Sequence, residues 1–325
     1  MYLPVSFIGA LALTILSTIC WGSWANTFKG TRSYPFALFY WDYIAGMLLC
    51  LFVLGLTLGS LGSSGEPFVK NIAAADHSNL LYALLAGFIF NLANLLLVAA
   101  IEIAGLAVAF PIAVGIALVE GVVVSYALQP KGRVLYLAAG VALAVVAVLF
   151  DARAYRSLSS QQIRSARGIV ISIASGLLMG TFAPFVARAM THGHALGPYG
   201  VGALLAVGAL CSSLVANTYL MKRPLSGAAV SFREYWTAPA SNHALGVLGG
   251  VIWGVGGCFN LVAAALLGVP ISYAIGQSAP LIAAAWGVFV WREFAGALTQ
   301  AWVSLALMFV CYMAAIVLIA AAYQK

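Results

Sequence analysis

The sequence predicts an all-α integral membrane protein whose ten transmembrane helices form two inverted five-helix repeats. Three observations lead to this prediction: an apolar composition, ten apolar segments of membrane-spanning length, and a similarity between the two halves of the chain. Hydrophobic residues make up 64% of the 325 residues and charged residues only 7%, and the mean hydropathy is +1.05. Soluble globular proteins are about half apolar and a quarter charged, so the composition excludes that class.

Ten segments are apolar over roughly the twenty residues that an α-helix needs to cross the ~30 Å hydrocarbon core of a bilayer. They lie at residues 5–28, 36–59, 79–101, 105–128, 134–151, 169–190, 199–221, 243–266, 268–291 and 298–322. Each is predicted to be helical, because a chain in lipid must satisfy its backbone hydrogen bonds internally. A polar, basic connection at 152–168 separates the first five-helix repeat, 1–151, from the second, 169–325.

The two halves align with each other when the second is shifted by 163 positions. Gly87 then meets Gly250 and Gly105 meets Gly268, and the next helix follows in register as LAVAFPIAV against VPISYAIGQ. The first helices also correspond, with CWGSWANTF resembling LMGTFAPFV. Because each repeat has an odd number of spans, the second repeat enters the membrane inverted, which is an architecture of secondary transporters with a midplane substrate site.

The distribution of positive charge predicts the orientation. Ten of the fifteen Lys and Arg residues lie in the odd-numbered connections, and five lie on the other side. An excess of Lys and Arg marks cytoplasmic connections, so both termini are predicted to be outside. Basic residues are not interleaved with aromatic ones in a run, so no nucleic-acid partner is expected. The cysteines and histidines are scattered without metal-ligand spacing, and no nucleotide loop is present, so no cofactor or metal is expected.

Glu120 lies near the middle of the fourth segment and is the only acidic residue at such a place in any predicted segment. An ionisable group there costs about 2.5–3.5 kcal/mol on insertion scales, so a functional role is the default interpretation. We expect Glu120 to carry a proton with the substrate. The alternative is a neutral Glu that hydrogen-bonds to a neighbouring helix. Asp42 is a second coupling candidate, and we expect it either to pair with Lys29 or Arg32 or to reach a water-filled cavity.

Amide side chains within the segments are candidates for substrate binding. Asn91 and Asn94 are three residues apart and therefore project from one face of the third helix. Asn260 and Gln277 are the matching polar residues of the second half. Amides offer donors and an acceptor, which suits hydroxyls, ureas or the edges of bases. Hydrogen bonding between helices is the alternative role for each of them.

Aromatic side chains crowd the end of the first helix and the start of the second. Trp21 and Tyr40 are the candidates for a wall on which a planar ring or sugar face stacks, and Asn26 lies in the same region. Trp253, deep in the eighth helix among small residues, is the corresponding candidate in the second half. Aromatic belts at membrane interfaces are the alternative explanation for the first group.

Several of these segments resemble the drug/metabolite transporter superfamily. The segments are CWGSWA, WDY with LTLGSLG in helix two, the two asparagines of helix three, and GQSAPLIAAAWGVFVWREF in helix nine. Within that superfamily the chain is similar to the ureide permeases and the glucose/ribose porters, over essentially its whole length. The resemblance implies uptake of sugars, or of allantoin, uracil and related heterocycles, commonly by proton symport. The short central connection resembles compact bacterial-type members, which implies a bacterial inner (cell) membrane.

The leading hypothesis is therefore a secondary-active importer of a small neutral polar metabolite, driven by proton symport through alternating access. Its partners would be the small-molecule substrate, protons and the lipid bilayer, and the chain would act as a monomer or a homodimer. Proton-coupled export of amphipathic drugs is the rival within transport. An enzyme would show clustered His, Asp or Glu, and a receptor would usually carry a soluble domain, so neither is expected.

Overall fold

The structure, a computed structural model, describes residues 1–31, 34–158, 165–225 and 227–323. Ten helices in these residues are long and apolar enough to cross a membrane, as predicted. In chain order, α1 to α10 are Phe7–Gly30, Phe36–Leu61, His77–Ala104, Val108–Leu128, Val134–Leu158, Ala166–Thr191, Pro198–Lys222, Ala240–Leu267, Val269–Val290 and Thr299–Ala321. Three residues of the charge count, Arg32, Arg164 and Lys325, lie outside the described residues.

Helix α5 is longer than the sequence predicts. It ends at Leu158 rather than at 151, because an apolar face continues past Asp151 through Ala154 to Leu158. The first part of the basic connection is therefore helical. The same extension places Asp151 inside a spanning helix, where it is buried and its Oδ1 has no partner in the described ranges. Asp151 is therefore a further acid within a span, whereas Glu120 lies near the middle of its helix.

The ten helices connect at two surfaces. Face A carries Met1 and the connections 62–76, 129–133 and 192–197. The amino terminus donates to the carbonyl oxygens of Gly62 and Ser64, and the backbone N–H of Asp76 donates to the carbonyl oxygen of His194. Face B is the opposite surface. It carries the connection 223–239, which contains the short helix Phe232–Thr237, and the connection 291–298.

Matched contacts in the two halves agree with two inverted repeats. Helices α3 and α8 each contain 28 residues and are each followed by a glycine with positive φ, Gly105 (82°) and Gly268 (88°). Two of the aligned glycines, one in each of these helices, also make the same kind of contact with α7 or α2. A Cβ built on Gly87 would lie 1.9 Å from the carbonyl oxygen of Leu205, and one on Gly250 would lie 1.9 Å from that of Tyr43.

Helix α9 is interrupted near its middle. Its first part is Val269–Gly276, and its second part begins at Ala279, one residue before Pro280. Proline cannot continue the backbone hydrogen bonds of the preceding turn, which explains the break. By contrast, α4 and α6 continue through Pro111 and Pro184. Broken helices near the midplane commonly line the binding sites of secondary transporters.

Candidate functional site

A central cavity of about 160 Å³ lies between α1, α3, α4, α6, α8 and α9, so both halves of the chain build it. Six of the residues that line it are aromatic: Trp21, Trp24, Phe90, Phe110, Phe182 and Trp253. Three amide or hydroxyl side chains, Asn94, Ser175 and Gln277, supply polar groups. None of the described residues that line it is charged. The cavity is therefore suited to a neutral molecule that has a flat face and a few polar groups.

The size of the central cavity limits what it can hold. An engineered protein cavity of about 150 Å³ binds benzene, and drug-sized ligands usually occupy clefts of roughly 300–1,000 Å³. At about 160 Å³, the central cavity in this conformation matches a ligand with one ring.

Five side chains form a continuous aromatic layer on one side of the central cavity. Trp21 stacks on Trp253 with their centroids 5.9 Å apart, and Phe90 lies 4.7 Å from Trp253. Phe182 joins Phe90 at 5.4 Å and Tyr273 at 5.6 Å. These residues come from α1, α3, α6, α8 and α9, so a relative movement of these helices would open or close the layer.

Beyond the aromatic layer lies a small cavity of about 30 Å³, roughly the volume of one water molecule in the liquid. Trp21, Phe182 and Trp253 line both cavities. The small cavity reaches towards face A, because its lining includes Val269, the first residue of α9. Asn260 lines it and donates to the carbonyl oxygen of Ser272 at 2.9 Å. The layer thus separates Asn260 from the polar groups of the central cavity.

The predicted amide pair of α3 forms a buried network with Tyr40. The Tyr40 hydroxyl donates to Asn91 Oδ1 at 2.8 Å and accepts from Asn94 Nδ2 at 2.9 Å. Ser213 also donates to Asn91 Oδ1, at 3.4 Å, from a π-helical turn of α7. Asn94 lines the central cavity, whereas Asn91 and Tyr40 stand behind it and do not.

Two further binding candidates, Gln277 and Asn26, lie in different places. Gln277 lies in the central cavity because the break in α9 sets it between two helical pieces. Asn26 lies near face B and outside the lining: it accepts from the Trp291 indole N–H and donates to the carbonyl oxygen of Ser23. The structure therefore places Trp21, Asn94, Trp253 and Gln277 around one cavity.

Glu120 lies at the contact between α4 and α6 and is not part of the lining of either cavity. Its Oε1 lies 3.0 Å from the Thr181 hydroxyl, whose single proton it shares with the carbonyl oxygen of Leu177 at 2.7 Å, and its Oε2 is buried without a partner among the described residues. A Cβ on Gly180 would lie 2.7 Å from that oxygen, so a larger residue there would displace the carboxyl group. An oxygen in this state can bind a proton without breaking an existing bond.

Asp42 is buried near face B with both oxygens occupied. Tyr235 donates to Oδ1 at 2.7 Å, and His243 Nδ1 lies 2.9 Å from Oδ2. Burial, together with the hydrogen bond to Asp42, raises the pKa of Tyr235, so its phenol remains a donor at neutral pH. The expected pairing with Lys29 was wrong, because Lys29 bonds to Glu293 instead. The other proposed partner, Arg32, lies outside the described residues.

Sequence reasoning missed three residues of these clusters. Tyr235 and His243 are distant from Asp42 in the chain and are brought to it by the short helix Phe232–Thr237 and the start of α8. The Ser-Phe-Arg-Glu capping box that begins this short helix was the available signal that the connection folds back in a fixed way. Ser175, in the central cavity, carried no distinguishing sequence signal.

Comparison with known proteins gives consistent matches. The family model for the sugar transport protein family matches residues 53–321. Ureide permease 1 of Arabidopsis thaliana is 29% identical over 160 residues, 48% of this chain and 41% of that protein. Ureide permease 4 of the same plant is 21% identical over 396 residues, 99% of this chain and 98% of that protein. A crystal structure with 17% identity matches with a TM-score of 0.64, over 96% and 99% of the two chains, which supports the fold.

Proposed function

This chain belongs to the sugar transport protein family, and from that premise we propose that it imports a small, neutral, polar metabolite with one ring. A monosaccharide and a ureide or nucleobase-like heterocycle both fit this description. The import is secondary-active, by proton symport and alternating access. Membership in a family of transporters agrees with the expectation that the chain is not an enzyme.

The observation that carries the proposal is the central cavity itself. It lies between helices of both halves, its walls are aromatic, and its polar groups are uncharged. Stacking on Trp21 or Trp253 would bind one face of a ring, while Asn94 and Gln277 would bond to its edge. A cationic amphipathic drug would need a larger cavity and an acidic group. The central cavity is too small, and none of its described lining residues is acidic. Drug export is therefore the weaker alternative.

The aromatic layer supports alternating access. In this arrangement the layer lies between the central cavity and the small cavity. The small cavity is on the side of face A and has room for about one water molecule. Rocking of one repeat against the other would separate Trp21 from Trp253 and admit the substrate to the side of Asn260. Such a rearrangement around a fixed midplane site is the common scheme for transporters with inverted repeats.

Glu120 is our candidate for proton coupling. It lies where α4 of the first repeat meets α6 of the second, next to the Thr181 hydroxyl. Binding or release of its proton changes the charge at that contact and so biases the two arrangements. Asp42, whose oxygens both have partners, is better suited to hold face B together, with a share in coupling through His243.

The charge distribution supports a membrane orientation with face B in the cytoplasm. Among the described residues, face B carries the larger share of Lys and Arg, including Lys222, Arg223 and Arg233. On the positive-inside rule both termini would then be outside. We propose a bacterial inner membrane for this multi-pass protein, on the basis of its short central connection, and a monomer or homodimer as the functional unit.

Filling part of the central cavity should weaken binding. We expect Val114→Phe to weaken binding of the best ligand by about ten-fold or more, because Val114 is buried and lines the cavity. The measurement is thermal stabilisation of the purified protein by sugars, ureides and nucleobases, since a ligand at 100 times its Kd stabilises the folded state by about 2.7 kcal/mol.

The matched control is Val124→Phe on the same helix, where the side chain is 40% exposed and faces away from the cavity. It should bind as the wild type does. If no neutral single-ring compound stabilises the wild type or is accumulated by proteoliposomes, the proposed function is wrong. If the two variants bind equally well, the central cavity is not the site.

A second prediction concerns Asp42. Asp42→Ala should remove about 2 kcal/mol of stability, because hydrogen bonds to a charged group contribute roughly 1.5–3 kcal/mol and Tyr235 loses its acceptor. It should also release the short helix Phe232–Thr237, which limited proteolysis from face B would detect. Exposed Glu66 on face A provides the control, Glu66→Ala. Unchanged protease resistance in Asp42→Ala would contradict this role.

A further inference from the structure

Tyr40 controls which end of the Asn94 amide faces the central cavity. The phenol is fully buried and its hydroxyl has only one proton. That proton goes to Asn91 Oδ1, so the oxygen accepts from Asn94 Nδ2. The bond to Tyr40 thereby fixes the Asn94 side chain. Its Oδ1 has no donor within reach among the described residues and is the atom left for a ligand.

Ser175, on the neighbouring part of the wall, has the same polarity. Its hydroxyl donates to the carbonyl oxygen of Ala93 at 2.8 Å. The hydroxyl proton is therefore used, so Ser175, which is fully buried, offers no donor to the central cavity. On the α3 and α6 side of the cavity, these two hydrogen bonds thus leave the Asn94 oxygen as the acceptor that faces a ligand, with no hydroxyl donor from Ser175 beside it.

We propose that Tyr40 is a positioning residue for specificity, and that this wall selects ligands that present an N–H or O–H donor to Asn94. The inference rests on the proposed function and names the feature that its substrates share. A ring whose edge offers only acceptors at that position would leave the Asn94 oxygen desolvated without a partner, which costs affinity.

Isomers provide the test. Thymine, 1-methyluracil and 3-methyluracil have the same atoms, but thymine keeps both ring N–H groups and each of the others keeps one. Wild-type protein should prefer thymine over at least one N-methyl isomer by about ten-fold, or 1.4 kcal/mol, in a thermal-stabilisation titration. For sugars, glucose and its monodeoxy-fluoro analogues make the equivalent comparison, since fluorine removes the donor.

Tyr40→Phe should reduce this preference to about three-fold or less, because Asn94 is then free to turn. Tyr43→Phe is the matched control: Tyr43 is equally buried and stacks on Tyr40 at 5.1 Å, but its hydroxyl has no partner within the part of the chain that the structure describes. It should keep the preference. Asn91→Ala is a second variant, in which the Tyr40 proton is free to bond to Asn94 Oδ1, and the preference should also fall.

The outcomes separate this inference from the proposed function. If neither the bases nor the sugars stabilise wild-type protein, the proposed function fails. If a ligand binds but the wild type shows no donor preference, or Tyr40→Phe retains it, or Tyr43→Phe loses it equally, the inference about Tyr40 is wrong while the function stands.

Discussion

In proteoliposomes with an imposed proton gradient, we expect Glu120→Gln to abolish accumulation of the substrate while exchange of labelled for unlabelled substrate continues. Symport of a neutral solute with one proton gains about 2.3 kcal/mol per 100 mV, equivalent to a concentration ratio of roughly 45-fold. Gln keeps the size of the side chain and an oxygen that accepts from Thr181, but it cannot bind and release a proton. The ratio should therefore fall to one.

The control is Glu102→Gln, which changes an acid that is exposed near the end of α3. It should accumulate substrate as the wild type does. Accumulation by Glu120→Gln with the wild-type pH dependence would assign coupling to another group, and Asp151, buried with Oδ1 unpartnered, would be the next candidate. Loss of both exchange and accumulation would instead indicate a structural role for Glu120.

Most of the fold could be predicted because lipid imposes simple rules on a sequence. Apolar length determined the ten helices, and their ends differ from the prediction by only a few residues except in α5. That helix kept an apolar face beyond Asp151, which a search for continuous apolar residues cannot follow. The aligned glycines were informative because Gly105 and Gly268 both adopt a positive φ, a conformation that disfavours other residues.

The site was predictable at the level of residue type rather than position. Asn94, Gln277 and Trp253 were selected because polar or large side chains are unusual within their helices, and Trp21 because aromatic residues crowd its region. All four line the central cavity. Asn260 was selected by the same reasoning but lies beyond the aromatic layer, since depth alone does not tell which side of a neighbouring ring a residue occupies. Asp42 shows a different limit, because its partners come from a connection whose path the sequence pattern did not indicate.

The proposed inverted repeat predicts that alanine at two aligned glycines lowers the stability by similar amounts. Gly87→Ala and Gly250→Ala should each destabilise the protein by roughly 3 kcal/mol, at the upper end of the cost of overpacking. In each variant the new methyl group would meet a backbone carbonyl oxygen of the facing helix, in α7 or α2, at 1.9 Å, and backbone cannot move aside as a side chain can. Thermal unfolding of the purified variants in detergent provides the measurement.

Gly115→Ala on α4 is the control, because nothing lies within 4 Å of a Cβ built there. Alanine is favoured over glycine within a helix by roughly 0.5–1 kcal/mol, so this variant should be as stable as the wild type or slightly more so. Equal losses of stability at positions 87 and 250 would mean that the packing of α3 on α7 is equivalent to the packing of α8 on α2. A substitution tolerated at one position alone would show that the two halves pack by different rules, and the alternating movement proposed from their symmetry would lose its basis.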